Sequence, residues 1–583
     1  MAACVKITNE AYKIRWDHSG DPIPALSHLV AARNDTAAFQ LVLQSNYPYS
    51  VAVRPVEWFA HKSIARVQGP HERIRVALSA PFAATLQVEG MMTDHDETKK
   101  AEVLLTQDVL NCPANLPTGV WAELRVPADA APGKYTVTAT VYSSFAGEDE
   151  RVVLQQEIPL TVGEYTLPDW QERGLYLNLW QHVSSLAWHH DVPMWSDEHF
   201  AVIENYVAAL TDLGQRSITV CAAHIPWGGQ SCSTPFEHAG NLFQYSMIGI
   251  TKKSDGTFLY DYSVMQRYID LCTRAGFGGD IEVFGLVNVW QKGVVPTLCE
   301  EYPEPIVLRY FDEADGTMKY IRSQEEIIAY IKALEQYFID TDQIARVRIG
   351  ADEPSDMERY RRSLEQLHEI APSFKCATAI NHSEFIEEFE DHIETITPSI
   401  GCVCKEYQRL MAHKAQFPHK KFLWYVCGSK AFPNNSIINP LIDNRSVGLL
   451  NDMLGLDGFL RWNFCLYSDD PREDVRYSNL AAGDLNFVYP GSNGSVLLSL
   501  RYKNLQRGFS DYEMIHTLRE KDPAAADALL QKVFAFSAKE LNVLAEHRSA
   551  CGYTPDQFRH DAVISRDWND YNTLKEELLA YLA

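Results

Sequence analysis

The chain has 583 residues, of which 46% are hydrophobic and 11% aromatic, and its formal net charge at pH 7 is −25. This apolar content argues against a disordered chain, and the length predicts about two to four domains. The excess of 77 acidic over 52 basic residues argues against nucleic acid as a partner, because phosphates require basic patches.

Targeting and redox signals in the sequence are weak. No run approaches the roughly 18 consecutive apolar residues of a membrane span, so no span is predicted. Residues 1–8 lack the basic and apolar regions of a signal peptide, and we therefore expect a cytoplasmic protein. The 12 cysteines show no C-x-x-C motif and no zinc-type spacing with histidine. We expect reduced structural thiols and no metal site.

Residues 1–168 are predicted to form a β-sandwich domain. Short alternating runs lie between turn residues, without one convincing long helix, which is typical of this fold. The clearest runs are Ala38 to Gln44, Arg73 to Leu78, Val120 to Val126 and Tyr135 to Tyr142. The segment Leu167-Pro168-Asp169 is interpreted as the linker to the next domain.

Residues 169–500 are predicted to form a catalytic (β/α)8 barrel of the TIM type, because apolar strand-like runs alternate with amphipathic helices. The eight candidate strands are Leu175 to Leu179, Ile218 to Ala223, Ile281 to Leu286, Val347 to Ala351, Lys375 to Ile380, Ile400 to Cys404, Phe422 to Cys427 and Gly458 to Cys465. The clearest helices are Phe200 to Leu213, Ser263 to Ala275, Gln324 to Ile339, Asp356 to Ile370 and Asn444 to Leu454.

Two insertions and the carboxyl-terminal segment complete the predicted organisation. Asp-Gly turns predict hairpins over Ile248 to Tyr260 and over Val307 to Ile321, at the rim of the barrel. Residues 501–583 are predicted to be a helical segment packed on the barrel. Its clearest helices are Ala524 to Leu541 and Asn572 to Leu582.

The tetrapeptide Asp352-Glu353-Pro354-Ser355 places two adjacent carboxylates where a predicted strand gives way to a predicted helix. Active sites of parallel β/α barrels are built at such strand ends. Successive side chains of a strand point to opposite sides, so both carboxylates can serve one site only if the backbone bends there. Pro354 is expected to restrict Glu353 to an extended conformation and to end the strand. Ser355 with Glu358 is interpreted as a capping box.

Aromatic residues follow the other predicted strands at similar positions, and sugar rings stack on aromatic faces while carboxylates and amides bind their hydroxyls. These residues are Trp180, Trp227, Trp290, Trp424, Tyr425 and Trp462, with His182 and Asn381 beside them. Motifs for dinucleotides, phosphate loops, zinc proteolysis and elbow serines are absent from the sequence, so no cofactor is predicted.

Several separated segments, in order, resemble glycoside hydrolase family 123, the β-N-acetylgalactosaminidases, over nearly the whole chain. They are 175–182, Ala351-Asp352-Glu353-Pro354, Leu423-Trp424-Tyr425, 458–462, Tyr489-Pro490-Gly491, Ser499-Leu500-Arg501 and 507–512. Members of this family combine an amino-terminal β-sandwich with a catalytic (β/α)8 barrel, so the resemblance implies the same fold as the pattern of elements.

The resemblance implies an exo-acting enzyme that releases terminal β-linked N-acetylgalactosamine from glycolipid or glycoprotein oligosaccharides with retention. The substrate's acetamido oxygen would attack the anomeric carbon and form an oxazolinium ion, an exception to the two-carboxylate mechanism. Glu353 would act as general acid and then as general base. Asp352 would accept the acetamido N–H, orient the nucleophile and stabilise the developing positive charge.

The remaining site residues are predicted from their strand-end positions. A hydroxyl should donate to the acetamido oxygen, with Tyr425 the first candidate and Tyr407 the second. Four further side chains are expected to contact the sugar or its methyl group: Trp424, Trp462, His182 and Asn381. Four charged residues are expected to join the last helices to the barrel rather than bind substrate: Arg445, Arg501, Arg507 and Asp511.

Two alternatives stay open. The enzyme could prefer another hexosamine, because galactosamine and glucosamine differ only in the C4 hydroxyl. The chain could also be a non-catalytic glycan-binding protein, although the adjacent carboxylates argue against that. The oligomeric state is not predicted.

Overall fold

A computed structural model describes residues 3–17, 22–55, 70–145, 147–226, 243–288, 297–428, 431–477, 480–550 and 563–583. The amino-terminal region is rich in strands. Its strands are β1 (Ala3–Asn9), β2 (Leu29–Arg33), β3 (Asp35–Ser45), β4 (Tyr49–Ala52), β5 (Glu72–Ser79), β6 (Ala83–Thr93), β7 (Lys99–Leu104), β8 (Val109–Cys112), β9 (Thr118–Val126), β10 (Gly133–Ser144) and β11 (Arg151–Thr166).

These strands form two sheets, with the orders β1-β3-β9-β6-β7 and β2-β11-β10-β5-β4-β8. Side chains alternate between buried and less buried positions along β5 and β10, as in strands with one face on a core. Leu41 and Leu43 of β3 and Val137 and Val141 of β10 are fully buried in one hydrophobic cluster. The two sheets therefore share a core, and the four strand runs predicted here are confirmed.

The next region alternates strands and helices. Its elements are β12 (Tyr176–Leu179), α1 (Ser184–His189), α2 (Asp197–Thr211), β13 (Ile218–Cys221), β14 (Ile225–Pro226), β15 (Phe243–Gln244), β16 (Gly249–Lys252), β17 (Phe258–Asp261), α3 (Ser263–Arg274), β18 (Ile281–Phe284), β19 (Arg309–Asp312), β20 (Thr317–Tyr320), α4 (Gln324–Asp340), β21 (Val347–Asp352), α5 (Met357–Ile370), β22 (Lys375–Ile380), α6 (Glu384–Glu388), β23 (Ile393–Pro398), α7 (Ile400–Gln416), β24 (Lys421–Tyr425), α8 (Leu441–Leu454) and β25 (Gly458–Arg461).

Eight of these strands form one sheet in the order β12-β25-β24-β23-β22-β21-β18-β13. Every neighbouring pair is parallel. The two end strands approach each other, because Leu177 of β12 forms a parallel bridge with Gln215 and the Arg216 N–H donates to the Leu177 carbonyl at 2.9 Å. The carboxyl ends of all eight strands therefore lie on one side of the sheet.

Seven of the eight strands predicted for this sheet are confirmed, and one prediction is wrong. Ile400 to Cys404 begins α7, and the strand is the preceding Ile393–Pro398. The Ser399 side chain accepts a hydrogen bond from the Cys402 N–H at 3.1 Å, which caps a helix at that point. The apolar run after Ser399 is the buried side of that helix.

Two predicted helix features also need correction. The cap of α5 is Asp356, whose carboxylate accepts from the Arg359 N–H at 3.0 Å, and not Ser355. The predicted helix Ala524 to Leu541 is interrupted, because α10 (Pro523–Leu530) ends before Phe534 forms an antiparallel bridge with Ile564.

The two predicted hairpins are confirmed, and they join into one four-stranded sheet in the order β17-β16-β19-β20. Tyr260 of this sheet packs edge-on against Tyr330 of α4, with 5.4 Å between ring centroids. Both insertions follow the carboxyl end of a parallel strand, so they lie on the side of the sheet where those strands end.

The chain ends with β26 (Val488–Pro490), β27 (Val496–Leu498), α9 (Leu500–Lys521), α10, α11 (Leu541–Ala550) and α12 (Trp568–Tyr581). Helix α9 packs on α8, and a Cβ atom on Gly448 would lie 2.1 Å from the Gly508 carbonyl oxygen. Glycine at these positions therefore permits the helices to approach closely. No helix in the described ranges is both long and apolar enough to cross a membrane.

Buried ion pairs connect the amino-terminal sheets to the last helices. Arg507 of α9 lies 3.1 Å from Glu10 and 3.3 Å from Asp35, and Lys575 of α12 lies 2.6 Å from Asp35. Arg445 of α8 pairs with Asp511 of α9 at 2.7 Å. The Arg445–Asp511 pair joins α8 to α9, as expected for these two residues, whereas Arg507 joins α9 to the amino-terminal region and not to the predicted barrel.

Glu89 of β6 is an exception to this pairing. Its side chain is fully buried, and neither carboxyl oxygen has a hydrogen-bond partner within the described part of the chain. A Cβ atom on Gly119 would lie 2.0 Å from Glu89 Oε2, so that glycine makes room for the carboxyl group. Burial raises the pKa of Glu89 from 4.5 to about 8.

This pKa shift predicts a pH-dependent stability. The folded state binds the Glu89 proton more tightly than the unfolded state, so the stabilising effect is complete below pH 4.5 and lost as the pH rises to about 8. The glutamine of Glu89→Gln does not titrate, so this variant lacks the pH-dependent contribution. Its free energy of unfolding should therefore rise relative to the parent by about 1.4 kcal/mol per pH unit across that window. Urea unfolding at pH 5, 7 and 9 measures the difference.

The exposed Glu157 of β11 provides the matched control. Glu157→Gln makes the same chemical change where no carboxyl group is buried, so it should not reproduce the pH-dependent rise in the free energy of unfolding expected for Glu89→Gln. A constant difference for Glu89→Gln as well would show that the Glu89 carboxyl group is not protonated by burial.

Candidate active site

The adjacent carboxylates lie at the carboxyl end of β21, as predicted. Asp352 is the last strand residue and is 8% exposed, and Glu353 follows it and is half-buried. Glu353 has a φ of +43°, in the left-handed region, and its N–H donates to the Ala379 carbonyl at 3.1 Å. The expected extended conformation of Glu353 is therefore wrong. The left-handed backbone costs about 1–2 kcal/mol for a non-glycine residue.

Tyr425 connects this turn to a distant strand. It is the last residue of β24, and its hydroxyl donates to Glu353 Oε1 and lies 3.4 Å from Asn381 Oδ1. Burial, together with the negative charges of Glu353 and Asp352, raises the pKa of Tyr425 well above its usual value. The phenol therefore remains a donor at neutral pH, and both carboxylates lie close enough to influence it.

A second group lies at the ends of β25 and β12. Trp462 is partly exposed, and its indole N–H donates to Asp484 Oδ2 at 3.2 Å. Asp484 is fully buried and also accepts from Arg461 at 2.7 Å. The His182 ring lies 6.5 Å from the Trp462 ring, nearly perpendicular to it. Burial lowers the pKa of His182 to about 3, so its imidazole is neutral.

The floor between these groups is aromatic. Trp180 and Phe284 meet edge to face at 4.9 Å, and both belong to one buried cluster with Tyr425, against which Trp462 packs. The Trp180 indole N–H donates to Glu282 Oε2 at 2.9 Å. Burial and the charge of Asp280 raise the pKa of Glu282 to about 8, so this carboxyl group is neutral at pH 7.

The structure does not bring two of the predicted residues to this site. Trp424 is fully buried on the opposite face of β24, where its indole N–H donates to Asn451 of α8 at 2.8 Å. The Tyr407 hydroxyl donates to the Leu454 carbonyl at 2.9 Å, between α7 and α8. The position of Trp424 follows from the alternation of side chains along β24. Because Tyr425 faces the site, the preceding Trp424 points to the opposite face of the strand. Trp227 and Trp290 lie outside the described residues.

Sequence reasoning missed Glu282 and Asp484, which position Trp180 and Trp462. A glutamate inside the apolar run Ile281 to Leu286 was a usable signal, because a charged residue in a buried strand needs partners. Asp484 lies in an irregular segment without a motif, so the sequence offers no comparable signal for it.

One group of side chains within the described ranges has donor atoms close enough together for a metal ion. His382, Glu384 and Glu406 place these atoms within 4.8 Å of one another. The group is largely exposed, and the Ser383 N–H already donates to Glu406 Oε2 at 3.0 Å. Exposed acidic groups are common without an ion, so we assign no metal chemistry to this cluster.

Comparison with known protein families identifies the chain. The sequence model described as glycoside hydrolase 123, catalytic domain, matches residues 180–518, which is more than half of the protein. The chain belongs to glycoside hydrolase family 123. This family 123 protein is therefore a glycosidase that acts on glycans. The matched range includes Asp352, Glu353, Tyr425, Trp462 and Asp484.

One solved structure has the same fold. A family 123 glycoside hydrolase from Clostridium perfringens, described for glycolipid glycan hydrolysis, is 16% identical with a TM-score of 0.73, covering 100% of this chain and 97% of that one. A β-D-glucuronidase from Dictyoglomus thermophilum is 12% identical with a TM-score of 0.30, covering 87% and 69%. The curated proteins include no match to this chain.

The two tyrosines predicted for the same role now provide a matched pair. Tyr425→Phe removes the hydroxyl that contacts Glu353, and we expect kcat/KM for glycoside hydrolysis to fall by about 10²-fold, as for other preorganised donors. Tyr407→Phe removes a hydroxyl that contacts only helix backbone in the described structure, and it should leave kcat/KM nearly unchanged. Initial rates on an aryl glycoside measure both, and similar losses would contradict the assignment.

Proposed function

We propose that this family 123 enzyme releases terminal β-linked N-acetylgalactosamine from glycan ends by a retaining, substrate-assisted mechanism. The observation that supports it best is that Asp352 and Glu353 are adjacent at the carboxyl end of β21, where the Tyr425 hydroxyl donates to Glu353. Two-carboxylate glycosidases place their carboxyl groups on opposite sides of the bond, about 5–5.5 Å apart in retaining enzymes. Adjacent residues of one turn are poorly arranged for that.

Other carboxyl groups near the site are already engaged. Asp484 accepts from Arg461 and from Trp462, and it is fully buried. Glu282 accepts from Trp180 and from Asn178, at 2.9 and 2.6 Å, and is neutral at pH 7. Neither is available as an anionic nucleophile. The acetamido group of the substrate then supplies the nucleophile.

In the first step, the acetamido oxygen forms a bond to the anomeric carbon while the bond to the leaving oxygen breaks. Glu353 transfers its proton to that leaving oxygen, and the sugar becomes an oxazolinium ion. Asp352 accepts the acetamido N–H and stabilises the positive charge that develops there. In the second step, the Glu353 carboxylate removes a proton from water, which attacks the anomeric carbon. The bond between that carbon and the acetamido oxygen breaks, so the oxazolinium ring opens and the configuration at the anomeric carbon is retained overall.

The other side chains bind and orient the sugar in this proposal. The Tyr425 hydroxyl, which contacts Glu353 in the free protein, donates to the acetamido oxygen when substrate is bound. Trp462 contacts the sugar face, while His182 and Asn381 contact its hydroxyls. The glycan belongs to a glycolipid or a glycoprotein.

We also propose that the parallel sheet closes as a (β/α)8 barrel and that the amino-terminal sheets form a β-sandwich, with domains 1–168, 169–500 and 501–583.

Release of an aryl leaving group tests the proposed reaction. The substrates are matched β-N-acetylgalactosaminide, β-N-acetylglucosaminide and plain β-galactoside, with the Glu353→Gln protein as the control for contaminating activity. We expect cleavage of the first substrate alone. Comparable cleavage of the plain galactoside would reject participation of the acetamido group, and preferential cleavage of the glucosaminide would reject the C4 preference.

The roles of the two carboxylates predict different dependences on the leaving group. Glu353→Gln should lower kcat by about 10²–10⁴-fold on a phenyl glycoside, but less on a dinitrophenyl glycoside, whose departure needs no proton. Asp352→Asn should lower kcat by about 10²-fold or more on both, because charge stabilisation is needed with either leaving group. Steady-state kinetics measures both variants. Equal sensitivity of both variants to the leaving group would contradict the assignment.

A further inference from the structure

The segment between β25 and β26, described over residues 462–477 and 480–487, contributes to the candidate site. Tyr477 and Leu485 belong to the same buried cluster as Tyr425. Asp484 lies in this segment, and its carboxylate accepts from the Trp462 indole at 3.2 Å. The position of the indole therefore depends on where the backbone places residue 484.

Arg501 of α9 binds the backbone on both sides of Asp484. Its guanidinium donates to the Gly483 carbonyl at 2.8 Å and to the Asn486 carbonyl at 2.8 Å. Gly483 has a φ of +79°, and a Cβ atom there would lie 2.7 Å from Arg501 Nη2. Glycine thus permits both the turn and the close approach of the planar guanidinium, whose five N–H donors have a fixed geometry.

Arg501 also donates to the Asn435 carbonyl at 2.7 Å and pairs with Glu102 of β7, in the amino-terminal region. Arg501 Nε donates to Glu102 Oε1 at 2.7 Å, and the Tyr489 hydroxyl donates to the same oxygen at 3.1 Å. Arg501 and Glu102 are both fully buried. Removing Glu102 would leave the Arg501 charge buried without its partner, so we expect the guanidinium to move when this pair is broken.

Other contacts of the β6–β7 hairpin reach the same segment. The His95 ring lies 2.6 Å from the Leu480 carbonyl. Met92 and Val103 of the hairpin share a buried cluster with Val475 and Ala482. The β6–β7 hairpin therefore contacts the segment that contains Asp484.

We propose that Glu102 is a positioning residue for the glycan site. It fixes Arg501, Arg501 fixes the backbone of residues 483–486, and Asp484 within that stretch fixes the Trp462 indole. The inference rests on the proposed contact of Trp462 with the sugar. It gives the amino-terminal sheets a part in substrate binding, beyond their contribution to stability.

The chain offers a matched control for loss of a buried ion pair. Asp35 of β3 pairs with Arg507 at 3.3 Å and with Lys575 at 2.6 Å, and both partners lie in the last helices. Like Glu102, it is an almost fully buried carboxylate that joins the amino-terminal sheets to α9. Within the described residues it makes no ion pair or hydrogen bond with residues 462–487. Asp35→Asn should therefore lower stability without moving Trp462.

The experiment uses the full chain labelled with 5-fluorotryptophan, and the Trp462 ¹⁹F resonance is assigned with Trp462→Phe. We expect Glu102→Gln to shift or broaden this resonance and to raise KM for an aryl β-N-acetylgalactosaminide by roughly five- to ten-fold, with little change in kcat. Asp35→Asn should lower the Tm and leave both the resonance and KM as in the parent.

An unchanged Trp462 resonance in Glu102→Gln would overturn the proposal, and so would an equal change in Asp35→Asn, which would indicate general loosening. If Glu102→Gln fails to fold, Arg501→Lys decides by the same resonance, because lysine keeps the charge but replaces the rigid planar guanidinium with a single ammonium group on a flexible chain. The spectroscopic result does not require turnover. It therefore remains decisive even if the parent enzyme fails to cleave the aryl substrates.

Discussion

Successive side chains of a β-strand point to opposite faces, and the left-handed backbone of Glu353 removes this constraint at the end of β21. A regular strand would direct Asp352 toward the site and Glu353 away from it. With a φ of +43°, Glu353 instead reaches the hydroxyl of Tyr425, and Asp352 remains close enough to influence the same phenol. Strain of this kind persists where the surrounding structure determines the conformation, and it is common at functional sites.

The surroundings that determine this conformation come from many parts of the chain. The Glu353 N–H is bound by the Ala379 carbonyl of the neighbouring strand, and the side chain is bound by Tyr425 of β24. Phe284 lies beneath the turn, in a space that exists because residue 350 is glycine. A Cβ atom on Gly350 would lie 2.4 Å from the Phe284 ring. The strained turn therefore rests on a closely packed floor, which limits its freedom to relax.

The sequence predicted the elements with strong local signals and failed where neighbours in space decide. Seven parallel strands followed from apolar runs, and the Asp352–Glu353 turn from its place between a strand and a helix. The run Ile400 to Cys404 was predicted as a strand because apolar content alone cannot distinguish a buried strand from the buried side of a helix. The Ser399 side chain, which caps the helix, identifies this run as the start of α7. Trp424 and Tyr425 are both aromatic residues suited to a sugar site, and they differ only in which face of β24 their side chains occupy.

Asp484 and Glu102 lie outside the motifs and were beyond sequence reasoning for a different reason. Asp484 acts through contacts with Arg461 and Trp462 across 22 or 23 residues, as Glu102 acts on Arg501 across 399. Such pairs have no spacing rule, because the tertiary fold alone brings them together. Once the structure is known, such pairs can be recognised because their charged side chains are buried, and a buried charge requires a partner.

Burial also determines which groups near the site carry charge. It leaves His182 and Glu282 neutral at pH 7, and it keeps the phenol of Tyr425 protonated. The charge of Asp484 is compensated by Arg461 at 2.7 Å. Asp352 and Glu353 are then the adjacent carboxylates at the end of β21, and Glu353 accepts from the Tyr425 hydroxyl. In the proposed mechanism, the sugar is neutral when it binds, and the positive charge that develops during cleavage lies beside Asp352, which is buried, and Glu353, which is half-buried. Electrostatic stabilisation is stronger in such surroundings than in water.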